Sequence, residues 1–250
     1  MDPRYKLAER RLRDIKSVLL VGSGKGGVGK SLVSVTIALG FAESGFKVGL
    51  FDADLHGPTS FRIIGATPIC KGTKDGIQPS IAYDIKTISV GLFASNDALT
   101  FRSDSKENLL LDLFAETNWG ELDLLVVDLP PGTGDEVLTT IRVFKDKAKG
   151  IVVSTPSILS TMVVRRLISL FKNEGIEILG LIENMAYINC NGKIIRPFGM
   201  LSDIDDVKVL ASLPIDPKIE EYIIKGKNVL DTPEYGKAAK DMIKKLQDLI

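Results

Sequence analysis

The run GSGKGGVGKS, Gly22 to Ser31, holds the residues best spaced to do chemistry. Gly24, four intervening residues, Gly29, Lys30 and Ser31 match the spacing of a phosphate-binding loop. Glycines let successive backbone N–H groups converge on phosphate oxygens. Lys30 then supplies a cation for the outer phosphates, and the Ser31 hydroxyl supplies a hard oxygen for Mg²⁺. The candidate nucleotide-binding residues are therefore Gly24, Lys25, Gly26, Gly27, Val28, Gly29, Lys30 and Ser31. Gly22, Gly24 and Gly27 also spell a dinucleotide fingerprint, with Asp52 or Asp54 as its ribose acid. That reading leaves Lys30 and Ser31 unexplained, so a nucleoside triphosphate is the expected ligand.

Acids that could serve such a ligand follow two later apolar runs. FDADLHGPTS places Asp52 and Asp54 two residues apart, where strand geometry turns both side chains the same way if the strand extends that far. Either could instead only cap a loop. LLVVDLPPGTGDE places Asp128 at a strand end, the usual position of a carboxylate near Mg²⁺. Ser31 and Asp128 are therefore expected at the metal, and Asp52 and Asp54 suit metal and water. Pro130 to Asp135 reads as a switch loop, its prolines fixing the backbone and its glycines giving it pivots. His56, the only histidine, is left out of the catalytic set, because phosphoryl transfer depends on positioning and charge more than on a strong base.

These groups need a scaffold that brings strand ends together. Continuous apolar runs at Ser17–Gly22, Lys47–Asp54, Thr87–Phe93, Leu122–Pro130, Gly150–Pro156, Glu177–Asn184 and Val207–Pro214 alternate with helical stretches such as Lys106–Thr117 and Ser157–Asn173. Fully apolar strands alternating with helices indicate a parallel sheet covered on both faces. The expected fold is α/β: a single doubly wound, mostly parallel sheet of about seven strands within one domain, 1–250. A short amphipathic helix at about 3–15 precedes the first strand. Gly57 to Tyr83 reads as a long irregular excursion. The apolar stripe of the last helix, Ala239, Met242, Ile243, Leu246, Leu249 and Ile250, reads as core-facing in preference to membrane-binding.

Composition closes off other classes. With 32 basic and 32 acidic side chains, no net field steers nucleic acid, and no nucleic-acid partner is expected. No apolar run reaches spanning length and the N-terminus lacks the apolar core of a secretory signal, so a cytoplasmic protein with no transmembrane segment is expected. Two cysteines, Cys70 and Cys190, are too few for a disulfide framework and read as free thiols or ligands.

The string KGGVGKS, with its early Lys25, resembles the deviant phosphate loop of MinD, ParA, nitrogenase iron protein and the Mrp proteins. The match to Mrp/ApbC-type iron-sulfur cluster carriers extends through LTFRSDSKENLL, NWGELDLLVVDLPPGTGDE, STPS, LIENMAYINC and SLPIDPKI. The resemblance implies an ATP-hydrolysing homodimer with ATP and Mg²⁺ as cofactors, which passes iron-sulfur clusters to apoprotein recipients. It assigns Lys25 and Asp54 to catalysis, Lys25 reaching the partner copy's nucleotide and Asp54 orienting the attacking water, and it places Asp52 in the hydration shell of Mg²⁺, completing a metal set of Ser31, Asp52 and Asp128. It places Asn184 on the adenine base. It also implies a [4Fe-4S] cluster held across the dimer by a CxxC from each copy. Here Cys190 fills the first position and Lys193 the second, so a symmetric dimer offers two thiolates where such a cluster takes four. Ser157, Val163, Met200 and Leu201 also depart from the pattern. The alternative that Lys193 raises is a cluster-free, MinD/ParA-like ATPase switch that positions a protein partner.

Overall fold

A computed structural model describes residues 3–67, 71–92 and 106–250. The first helix, α1 (Pro3–Leu12), is followed by β1 (Ile15–Ser23), α2 (Lys30–Glu43), β2 (Val48–Asp52) and the short α3 (Ser60–Ile63). Four short strands come next: β3 (Lys71–Thr73), β4 (Gly76–Gln78), β5 (Ser80–Ala82) and β6 (Ile85–Ser89). The chain continues through α4 (Lys106–Glu116), β7 (Leu122–Asp128), α5 (Asp135–Phe144), β8 (Ala148–Ser154) and α6 (Ile158–Asn173). It ends with β9 (Glu177–Cys190), β10 (Lys193–Ile195), β11 (Val209–Pro214), α7 (Lys218–Ile224) and α8 (Tyr235–Gln247).

Among the described residues nine strands form the main sheet, in the order β10-β9-β8-β1-β7-β2-β6-β5, with β11 also on β9. Seven of these, β1, β2, β6, β7, β8, β9 and β11, run parallel and correspond to the seven apolar runs in the sequence. The two unforeseen members, β5 and β10, are three-residue antiparallel strands. Such short pieces are too brief to show periodicity, and pairing to a neighbour, not apolar content, makes them strands. Part of the expected irregular excursion is a separate β3–β4 hairpin.

The buried runs of β1 and β7 occupy the sheet centre because helices shield both sides. Phe51, Phe114, Phe144 and Trp119 pack edge to face beneath α4 and α5, and α6 packs on β8, β9 and β1. On the opposite face α2 lies on the sheet and α8 lies on α2. Ala239, Met242, Ile243 and Leu246 of α8 are buried, so that stripe faces the core, while Leu249 lies beyond the helix and is exposed. The N-terminal helix is shorter than expected, because Ile15 already belongs to β1. It buries Ala8 and Leu12, and Arg4 reaches across to Asn108 and Asp112 of α4.

Candidate functional site

The parallel register places Asp52 at the end of β2 directly beside Asp128 at the end of β7. Both side chains are fully buried. Two carboxylates side by side in a dry site repel each other, so they need donors and a cation. Lys30, the first residue of α2, supplies the cation: its Nζ lies 2.6 Å from Asp128 Oδ1. Ser34, one turn further along α2, donates to the same oxygen at 2.8 Å. Ser60 Oγ donates to the other oxygen of Asp128 at 2.9 Å, while the Ser60 N–H and Ser89 Oγ donate to Asp52 Oδ2, each at 3.2 Å. Burial foremost, then the Asp128 charge, pushes the Asp52 carboxyl up to about 7, against the opposing pull of Lys30. These three serines were not singled out from the sequence. Ser34 had a readable signal, its four-residue spacing from Lys30, whereas Ser60 and Ser89 had none.

The phosphate loop bends around this pair. Gly29 sits at φ 77°, a conformation that side chains disfavour, and a Cβ there would meet Asn184 Nδ2 at 2.2 Å. Asn184 is buried on β9 and its Nδ2 donates to the Val28 carbonyl at 2.9 Å. Ser23 Oγ donates to the Lys25 carbonyl, and the Ser23 carbonyl accepts from Gly132 N–H at 2.9 Å, joining the Pro130–Asp135 loop to the phosphate loop. Lys25 itself is exposed at the loop's outer edge.

Asp54 lies past the strand end, so it does not simply repeat the orientation of Asp52. Its Oδ1 accepts from the N–H groups of His56 and Gly57, and its own N–H donates to Asp52. His56 Nε2 lies 3.7 Å from Glu136, away from the acid pair. A cavity of about 520 Å³ opens here, lined by Lys25 to Leu32, Asp54, Thr59, Arg62, Ile63, Pro131, Met185 and, from α7, Ile219, Glu220 and Ile223. That volume lies within the range of small-ligand and cofactor sites. The oxygen donors, two carboxylates and the Ser31 hydroxyl, fit Mg²⁺, which takes few protein ligands and fills its shell with phosphates and waters.

The second candidate centre lies at the far end of β9. Asn191 and Gly192, at φ 53° and 86°, form the two-residue turn into β10, and Cys190 pairs directly with Lys193. The two CxxC positions thus face each other across a hairpin, one a thiol and the other an ammonium. Cys190 is exposed. No group of three or more histidine, cysteine or acidic side chains suited to a metal occurs among the described residues. Cys70 lies outside the described residues, as does the LTFRSDS part of the LTFRSDSKENLL motif. Among the described residues, no helix is long and apolar enough to cross a membrane.

Comparison with known proteins agrees with this geometry. Residues 14–250 match the family model described as ParA, NUBPL iron-transfer P-loop NTPase. An iron-sulfur cluster carrier protein of Saccharolobus solfataricus is 35% identical over 224 residues, covering 85% of this chain and 76% of the relative. One of Rickettsia typhi is 36% identical over 220 residues, covering 88% and 68%. Among solved structures, a nucleotide-binding protein of Archaeoglobus fulgidus in complex with ADP superposes with a TM-score of 0.81 at 30% identity, covering 93% of this chain and 96% of that one. The cell division ATPase MinD of Pyrococcus furiosus shares the fold, with a TM-score of 0.69 at 18% identity and coverage of 94% and 100%.

Proposed function

Since this chain belongs to the ParA-type, NUBPL iron-transfer P-loop NTPase family, we propose that it binds and hydrolyses ATP as a homodimer and carries iron-sulfur clusters to apoprotein recipients. The observation that carries the proposal is the course of β9. This one strand bears Asn184, bonded to the phosphate loop, and six residues later the exposed Cys190. At about 3.3 Å per residue, at most about 20 Å of strand lies between Asn184 and the thiol, and it is bent at Met185, where φ is 55° and the pairing with β11 shifts register. A change at the loop therefore has a single-strand route to the hairpin, through the bend at Met185.

At the nucleotide end, N–H groups from Gly24 to Gly29 cradle the phosphates. Lys30 leaves Asp128 for the outer phosphate oxygens, and Ser31, Asp52 and Asp128 would hold Mg²⁺. The bound cation offsets phosphate charge. Asp54 orients a water for attack on the γ-phosphorus, which breaks the bond to the β-phosphate oxygen and leaves ADP and phosphate. Lys25, exposed at the loop edge, reaches the nucleotide of the partner copy, and Asn184, which in the free chain is buried and bonded to the Val28 carbonyl, turns its amide to the adenine when nucleotide binds. Cys190 from each copy supplies one thiolate to the cluster cargo. Lys193 adds none, and two thiolates hold a cluster less firmly than four, which suits release.

ATP binding, dimerisation and turnover measured together test this reading. Lys25→Ala and Asp54→Ala are expected to bind MgATP within a few-fold of wild type while hydrolysis falls at least tenfold, as for other groups that act on phosphoryl-transfer charge or water. Normal turnover in both variants, or a wild type that stays monomeric with ATP, would contradict the assigned roles.

A further inference from the structure

Buried carboxylates need fixed orientations if they are to receive a metal without reorganising, and outer hydrogen bonds usually fix them. Asp128 accepts from three side-chain donors, unevenly shared between its two oxygens. Its Oδ1 takes both Lys30 and Ser34, whereas the only donor to Oδ2 among the described residues is Ser60 Oγ, at 2.9 Å. Once Lys30 turns to phosphate, Ser34 and Ser60 are what keep this carboxylate from rotating. Ser60 does a second job, since its N–H donates to Asp52 Oδ2. It is fully buried, so water does not compete for its single hydroxyl proton. It also opens α3, whose Arg62 and Ile63 line the nucleotide cavity. One residue thus anchors both acids and a wall of the cavity.

We infer that Ser60 is a positioning residue for the metal-dependent chemistry, setting Asp128 through its hydroxyl and Asp52 through its N–H. The inference rests on the reading of this cavity as a MgATP site. It concerns metal capture, not the affinity for nucleotide alone.

Fluorescent N-methylanthraniloyl-ATP, titrated first in EDTA and then with increasing Mg²⁺, separates the two. For Ser60→Ala, binding in EDTA should stay within twofold of wild type, while the Mg²⁺ concentration at half-saturation rises about tenfold, the lower end for loss of an outer-shell partner. Ser60→Thr, which keeps the hydroxyl, should remain within threefold. If Ser60→Ala does not fold, Ser60→Cys fills nearly the same space with a weak donor and should show the same Mg²⁺ shift. An unchanged or lowered Mg²⁺ half-saturation in the folded variant overturns the role of Ser60 and leaves the nucleotide site standing. Absence of Mg²⁺-dependent binding by wild type overturns the site itself, and this inference with it.

Discussion

Replacing Lys30 by methionine should do more than abolish nucleotide binding: it should destabilise the nucleotide-free fold. The substitution keeps the unbranched stem and removes the charge 2.6 Å from Asp128. Asp128 and the neighbouring Asp52 are both fully buried, so the change leaves an acid pair with no cation beside it. Removing one partner of a buried ion pair costs about 3–5 kcal/mol. Protonation sets a ceiling: holding an aspartate of ordinary value 3.8 protonated at pH 7 costs about 4 kcal/mol. The expected loss at neutral pH is therefore about 3–4 kcal/mol, or a fall in Tm of about 6–16 °C for a chain of this size. Urea unfolding of the nucleotide-free protein measures it. Because the mutant relieves its strain by taking up a proton, the loss should shrink at pH 5 and grow at pH 8. Adding Asp128→Asn should restore most of the stability without restoring nucleotide binding. A Lys30→Met protein as stable as wild type, with no pH dependence of the difference, would refute the claim that Lys30 neutralises this pair.

Two more outcomes follow from the same geometry. Asp52, raised to about 7 in the folded protein against 3.8, keeps its proton in the native state where the unfolded chain has lost it; its contribution is present below pH 4 and lost as pH rises to about 7. Asp52→Asn should therefore gain stability relative to wild type across that window and run parallel above it in urea unfolding; parallel curves throughout would contradict the assignment. Gly29→Ala should lose about 1–3 kcal/mol and most nucleotide affinity, through its positive φ and the 2.2 Å approach to Asn184 Nδ2. Adding Asn184→Ala should recover part of the stability, and a double mutant no better than the single one would show that the clash is not the cause.

Much of this was legible in the sequence because the informative signals are local. The phosphate loop is a contiguous string, and the central parallel strands β1, β2, β7 and β8 are largely apolar because both sheet faces are covered there. What escaped depends on pairing and three-dimensional approach. Nothing in SIA or KII marks β5 or β10 as strands until a neighbour pairs with them. The contacts of Ser60 and Ser89 with the acids join residues 68 and 37 positions apart, a distance no local pattern spans. Asp52 and Asp54 looked equivalent by spacing, yet β2 ends at Asp52 and only that acid joins Asp128 in register. The Cys190-to-Lys193 spacing was plain in the sequence, whereas their direct opposition across a two-residue turn required the structure.

Anaerobic reconstitution with iron and sulfide, on wild type and Cys190→Ser in parallel, tests the carrier function most directly through iron and labile-sulfide counts and the visible spectrum. The account predicts a cluster shared between two chains in wild type and its loss in Cys190→Ser, with ATP hydrolysis retained in both. A wild type that hydrolyses ATP and binds no iron or sulfide would contradict it, and would leave a nucleotide-driven switch in place of a cluster carrier.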